Sequence, residues 1–312
     1  MAASVSAPAP VSASMPAAVS ASASAAVPAA TPAPNPAPRS TAIGRLRKKL
    51  MSRATLRAII SLVVFVLLWE AGSRSKQWLG YSLPWIGQVP APSGVLRVWG
   101  GLLGDVGYWQ SWYLSLVRVL AGFIAAMLVG IPLGLLMAVS KTFYGLSFPS
   151  FEVLRPIPPL AWVPISIIFW PTQELSIAFV TFLGAFFTVV INVVGGAKSI
   201  DGRFFQAAQA MGASQWDIFR RVVLPATLPS IVVGSSVGMG ITWNVVVAAE
   251  MISGGGGSGS GGGLGFFIWN SYVGGSYEQI VVGMISIGIA GFACSEVLRA
   301  LGGLATPWLQ KR

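Results

Sequence analysis

Residues 212–214, Gly-Ala-Ser, resemble a fragment of a serine-nucleophile motif. Acyl transfer by Ser214 would need a base to take its proton, and the chain of 312 residues contains no histidine. The spacing has another reading. Ser214 and Asp217 form Ser-x-x-Asp, in which hydroxyl and carboxylate together cap the first turn of a helix. Capping accounts for both residues, nucleophilic attack for one. The glycine tract at 253–263 suggests a phosphate cradle, but it lacks the Gly-Lys-Ser/Thr ending that would set a lysine and a hydroxyl on nucleotide and magnesium. Cys294 is the only cysteine, so no disulfide forms within the chain, and nothing resembles a His/Cys metal cluster. We therefore expect no covalent chemistry, no metal and no cofactor on this chain.

The remaining candidates are polar groups in apolar surroundings. Glu250 ends a hydrophobic run, with Asn244 six residues before it. An acid or amide at membrane depth is a functional candidate by default. A carboxylate is a poor ligand for an anion, however, so Glu250 is expected to be structural and hydrogen-bonded at the external boundary. Thr181, Thr188, Asn192, Ser235, Ser236 and Thr242 offer polar atoms that either line a pathway or bond between helices. Pro156, Pro158, Pro159 and Pro164 surround Trp162. They remove backbone donors, which a membrane tolerates only where protein or a water-filled cavity replaces them. That places Pro159 and Trp162 either along a pathway or in a packed helix start. Glu296 and Arg299, at i and i+3, are expected to pair.

These side chains must be carried by membrane helices. The chain is 54% hydrophobic and only 9% charged, and apolar runs of roughly 18 residues or more recur. Six spans are predicted: 56–71, 114–139, from the proline-rich segment to about 170, 175–194, 226–249 and 280–301. A mixed segment up to 112 reads as a loop with a short helix. Arg45, Arg47, Lys48, Lys49, Lys141, Arg155, Lys198, Arg203, Arg220, Arg221, Arg299, Lys311 and Arg312 all fall on one side of such a topology. By the positive-inside rule both termini are cytoplasmic. The same placement explains the net charge of +11 and argues against nucleic-acid binding, because the basic residues flank spans and are not interleaved with stacking aromatics. Residues 1–45, rich in Ala, Pro and Ser, form a disordered cytoplasmic tail. Residues 46–312 form the membrane domain.

Residues 206–225, QAAQAMGASQWDIFRRVVLP, then lie in a cytoplasmic loop of about 197–225. The pattern predicts helix, glycine turn, helix. Gly212 is the left-handed C-cap and Ser214 opens the second helix, with Trp216, Phe219 and Val223 on one apolar face. Such a loop is either a connecting surface helix or a rigid knob that docks in a partner's groove.

The stretch resembles the EAA motif of ABC-importer permeases, roughly E-A-A-x-x-x-G-A-S-x-W-x-x-F-x-x-V-x-L-P. Ala207, Ala208, Gly212, Ala213, Ser214, Trp216 and Phe219 match; Gln206 stands where Glu is usual. RPIPPLAWVPISIIFW, SLVRVLAGFIAAMLVGIPLG and VAAEMISG resemble the subgroup serving nitrate, taurine, aliphatic sulfonate and bicarbonate. FWPTQE departs from that subgroup, which usually has a glycine-containing turn there, and so does the long glycine tract. The resemblance implies an all-α integral membrane protein of about six spans with type I ABC-importer permease architecture. It further implies a homodimer in the inner membrane, two ATP-binding subunits that hold ATP and magnesium, and an external substrate-binding protein. Residues 206–220, including Asp217 and Arg220, would couple to the ATPase; Thr181, Thr188, Asn192, Ser236, Thr242 and Asn244 are pathway candidates. The rival class is a stand-alone channel or secondary transporter, which calls for buried charges and inverted repeats.

Overall fold

The computed structural model describes residues 53–75, 78, 80, 87, 89–253 and 262–307. The expectations for the N-terminal tail and for most of the glycine tract lie outside these residues. Internal contacts divide the chain between Ile59 and Ile60; of the first unit only residues 53–59, the first turns of a helix, are described.

Among the described residues the structure is helical throughout, without strands. Its elements are α1 (Arg53–Ser73), α2 (Pro92–Leu102), α3 (Val106–Val139), α4 (Lys141–Leu154), α5 (Val163–Phe169), α6 (Gln173–Lys198), α7 (Gly202–Ala210), α8 (Gln215–Ile218), α9 (Leu224–Ser253), α10 (Leu264–Val273) and α11 (Tyr277–Ala305). Five segments are long and apolar enough to cross a membrane: 56–73, α3, α6, Gln215–Ile252 and α11.

The third predicted span takes a different form. It is a bent pair, α4 and then Pro159–Phe169, turning by 86° across the prolines. Pro158 is extended at φ −57°, ψ 134°, and its ring and that of Pro159 deny the backbone the donors that would continue α4. The other span ends also move. α3 starts at Val106 because Asp105 caps it, its carboxylate accepting from Gly107 N at 2.9 Å. The fifth span runs back to Gln215 through one π-helical turn, Phe219–Val223.

α3, α6 and α9 form the centre. Val119, Phe123 and Ala126 meet Ile177, Val180 and Ala185, and Met239, Trp243, Val246 and Ala249 close the third side. Close approach needs small residues, as is usual where lipid supplies no hydrophobic drive between helices. A Cβ on Gly122 would sit 2.7 Å from Thr181 Cβ. α1 is different: Leu62, Phe65, Leu67 and Leu68 are all more than 60% exposed, as befits a helix solvated by lipid tails. Its end is tied to α2. Glu70 accepts from Ser93 N and Ser93 Oγ, at 3.0 and 2.8 Å, and Arg74 pairs with Glu70 at 2.6 Å.

Candidate functional site

The predicted helix, glycine turn and helix are present. α7 is opened by Asp201, whose carboxylate accepts from Arg203 N at 2.9 Å. It closes in a Schellman turn: Gly212 sits at φ +76°, Gly212 N donates to Gln209 O and Ala213 N donates to Ala208 O. Two residues later the capping box forms. Asp217 N donates to Ser214 Oγ at 3.2 Å and Ser214 N donates to Asp217 Oδ2 at 3.3 Å. Ser214 is a capping residue, as its spacing to Asp217 implied. Arg221, one turn on, lies 3.7 Å from Asp217. Replacing Ser214 by alanine is expected to speed amide hydrogen exchange at Asp217 by about fivefold, the loss of one N-cap acceptor; exchange mass spectrometry measures it, and an unchanged rate counts against a capping role.

The knob is anchored by apolar burial. Ala208, Ile218 and Val223 pack with Leu135 of α3 and Val189, Val193 and Ala197 of α6. Everything aimed the other way is exposed: Gln206, Ala207, Arg220 and, less expectedly for apolar groups, Phe204, Met211 and Trp216 at 63, 81 and 67%. Trp216 stacks on Phe219, ring centres 5.4 Å apart. Three large apolar side chains thus stand uncovered on the turn and on the short helices either side of it. Phe204 and Met211 lay outside the apolar face read from the second helix, since they belong to α7 and to the turn.

α6 runs into this loop and α9 out of it, so the start of α6 and the end of α9 lie at the opposite end of the bundle. There Glu250 is fully buried, as is the Arg118 guanidinium apart from 3%. Arg118 Nη1 donates to Glu250 Oε1 at 2.9 Å, while Nε and Nη2 grip both oxygens of Glu174. Ser115 Oγ donates to Glu250 at 2.8 Å and accepts from Leu264 N; Gly265 N donates to Glu250 Oε2 at 2.9 Å. One carboxylate thus binds α3, α9 and the start of α10. The expected structural role of Glu250 holds in its hydrogen bonds, but the partners were not foreseen. Arg118 is 132 residues away in sequence. The one available signal was an arginine inside an apolar run, which demands a partner. A Cβ on Gly265 would overlap Val247 O. Gly265→Ala is therefore expected to destabilise the protein by about 1–3 kcal/mol through overpacking, read as a lowered melting temperature in detergent; unchanged melting would show that α10 can shift without cost.

The pathway candidates are dispersed. Thr181 and Thr242 are fully buried and donate to the carbonyls of Ile177 and Gly238 in their own helices. Ser235 and Ser236 do likewise to Ile231 and Val232. Asn192, half-buried, donates to Thr188 O at 2.8 Å. Asn244 is exposed on α9. Pro159 and Trp162 form the bend before α5, Trp162 packing against the main core with its indole N–H buried and unpartnered among the described residues. Glu296 and Arg299 pair at 2.8 Å, as their spacing predicted.

Residues 130–311 match the family described as binding-protein-dependent transport system inner membrane component. The chain belongs to that family. Its relatives agree. A nitrate import permease of Synechocystis is 34% identical over 87% of this chain and 99% of its own length. A taurine transport system permease of Escherichia coli is 32% identical over 83% of this chain and 91% of its own. A bicarbonate transport system permease of Synechococcus elongatus is 35% identical over 68% and 71%. A solved bacterial ABC transporter involved in alginate import has the same fold, with a TM-score of 0.51 at 13% identity, covering 83% of this permease and 98% of that chain. The protein is a multi-pass membrane permease subunit of an ABC importer.

Proposed function

We propose that this permease imports a small oxyanion of the nitrate, bicarbonate or sulfonate type and is driven by an ATPase that docks on residues 206–220. The docking surface is Gln206, Ala207, Met211, Gly212, Trp216 and Arg220, with Ala208, Ala213, Ser214, Asp217 and Phe219 holding its shape. The observation that carries this reading is the rigid, doubly capped knob with Phe204, Met211 and Trp216 uncovered. ATP and magnesium belong to two partner subunits, a second copy of the chain completes the pathway, and an external binding protein delivers the anion. Both termini then face the cytoplasm. Pathway residues are drawn from those that this protomer leaves open, Asn244 and Ser236 before Thr181 or Thr242.

The oxyanion class is supported by the relatives named for nitrate, taurine and bicarbonate. The test is co-purification. The tagged chain, solubilised in mild detergent, should retain an ATP-binding subunit, and Trp216→Ala should lose most of it. A chain that reconstitutes alone and moves anions without ATP would overturn the proposal and leave a channel or secondary transporter.

A further inference from the structure

Arg118 is the only buried cation among the described residues, and two carboxylates share it. They are not equivalent. Glu250 is sealed in, with Ser115 and Gly265 N satisfying its other lone pairs. Glu174 touches the fork formed by Nε and Nη2, yet its side chain is 53% exposed. It belongs to FWPTQE, the segment that departs from the subgroup's usual turn.

We propose that the Nε/Nη2 edge of Arg118 is a binding site for the transported oxyanion, and that Glu174 occupies it until the anion takes its place. The proposal rests on the anion-import reading above. Three features favour the exchange. The guanidinium fork presents two parallel N–H donors that suit a planar or tetrahedral oxyanion as well as they suit a carboxylate. One anion replaces another, so the buried cation never loses its second charge partner and Glu250 keeps its own bonds. The displaced Glu174 meets little penalty, because it is already half in water and lies in the first turn of α6, where negative charge is favoured by the helix dipole.

The test uses the purified permease with its ATPase in nanodiscs, without binding protein. Sodium nitrate, sodium bicarbonate and taurine are titrated at constant ionic strength made up with sodium chloride, and thermal stability is read. Removing a resident competitor raises apparent affinity by the inverse of the fraction of time it left the site free, tenfold if it occupied the site about nine-tenths of the time. Glu174→Gln is therefore expected to respond at about tenfold lower concentration of one of these anions than wild type. Glu174→Asp, which keeps a competing carboxylate, should stay near wild type, and Arg118→Lys should show no saturable response. Equal midpoints in wild type and Glu174→Gln, or no saturable response in Glu174→Gln to any of the three, overturn the exchange. Uptake into proteoliposomes with the binding protein is measured in parallel. Import of one of the three with equal midpoints overturns the exchange alone. Saturable binding without import of any supports the site and overturns the import reading.

Discussion

Glu250→Leu is expected to cost about 3–5 kcal/mol of stability, the penalty for breaking a buried ion pair by removing one partner. Arg118 would keep only Glu174, and Ser115 Oγ and Gly265 N would lose their acceptor. Against a typical total of 5–15 kcal/mol this threatens folding outright. The double variant Arg118→Met/Glu250→Leu separates charge from shape. Replacing both partners by apolar groups of similar size is often neutral, so the double variant should recover most of the melting temperature lost by the single one. If the two melt alike, the loss in Glu250→Leu arises from packing at α10, and the ion pair is not what holds this end of the bundle.

Gly212→Pro is expected to leave the protein inserted and helical while removing ATP-driven uptake. Proline fixes φ near −65°, whereas residue 212 sits at +76°. It also deletes the N–H that donates to Gln209 O. The Schellman turn cannot form, so α7 and α8 lose their fixed angle. ATPase retained on the purified chain should fall by at least about tenfold, equivalent to some 1.4 kcal/mol of docking free energy. Gly212→Asn, which tolerates the left-handed region, should keep most of it. Normal uptake by the proline variant would show that the knob's shape is not needed for coupling.

The parts of this molecule that were legible in sequence are the local ones. Gly212, Ser214 and Asp217 lie within six residues, so their spacing alone specified the turn and the cap. The apolar runs announced α3, α6 and α9 because period and length suffice for a membrane helix. Three things were hidden. The 86° bend of the third span depends on which prolines break the backbone and which merely begin a helix. α10, LGFFIWNSYV, follows the glycine tract and is too short to span, so it has no signature apart from a loop of apolar residues. The Arg118 network joins residues 56 and 132 positions apart. No pattern within a window of sequence can pair them; only the packing of α3 against α6 and α9 does.

The π-helical turn at Phe219–Val223 has a mechanical consequence. It lets α8 run into α9 without a loop, giving 38 continuous residues from Gln215 to Ile252. At 1.5 Å per residue that is a rod of about 57 Å, nearly twice the hydrocarbon thickness of a bilayer. Trp216 stands at one end of the rod and Glu250 at the other. If an ATPase docks at Trp216 as proposed, a slack linker would dissipate its push. A helix with its far end clamped can pivot about the clamp, or bend where its hydrogen bonding is already interrupted, at the wide turn and at Pro229 inside α9.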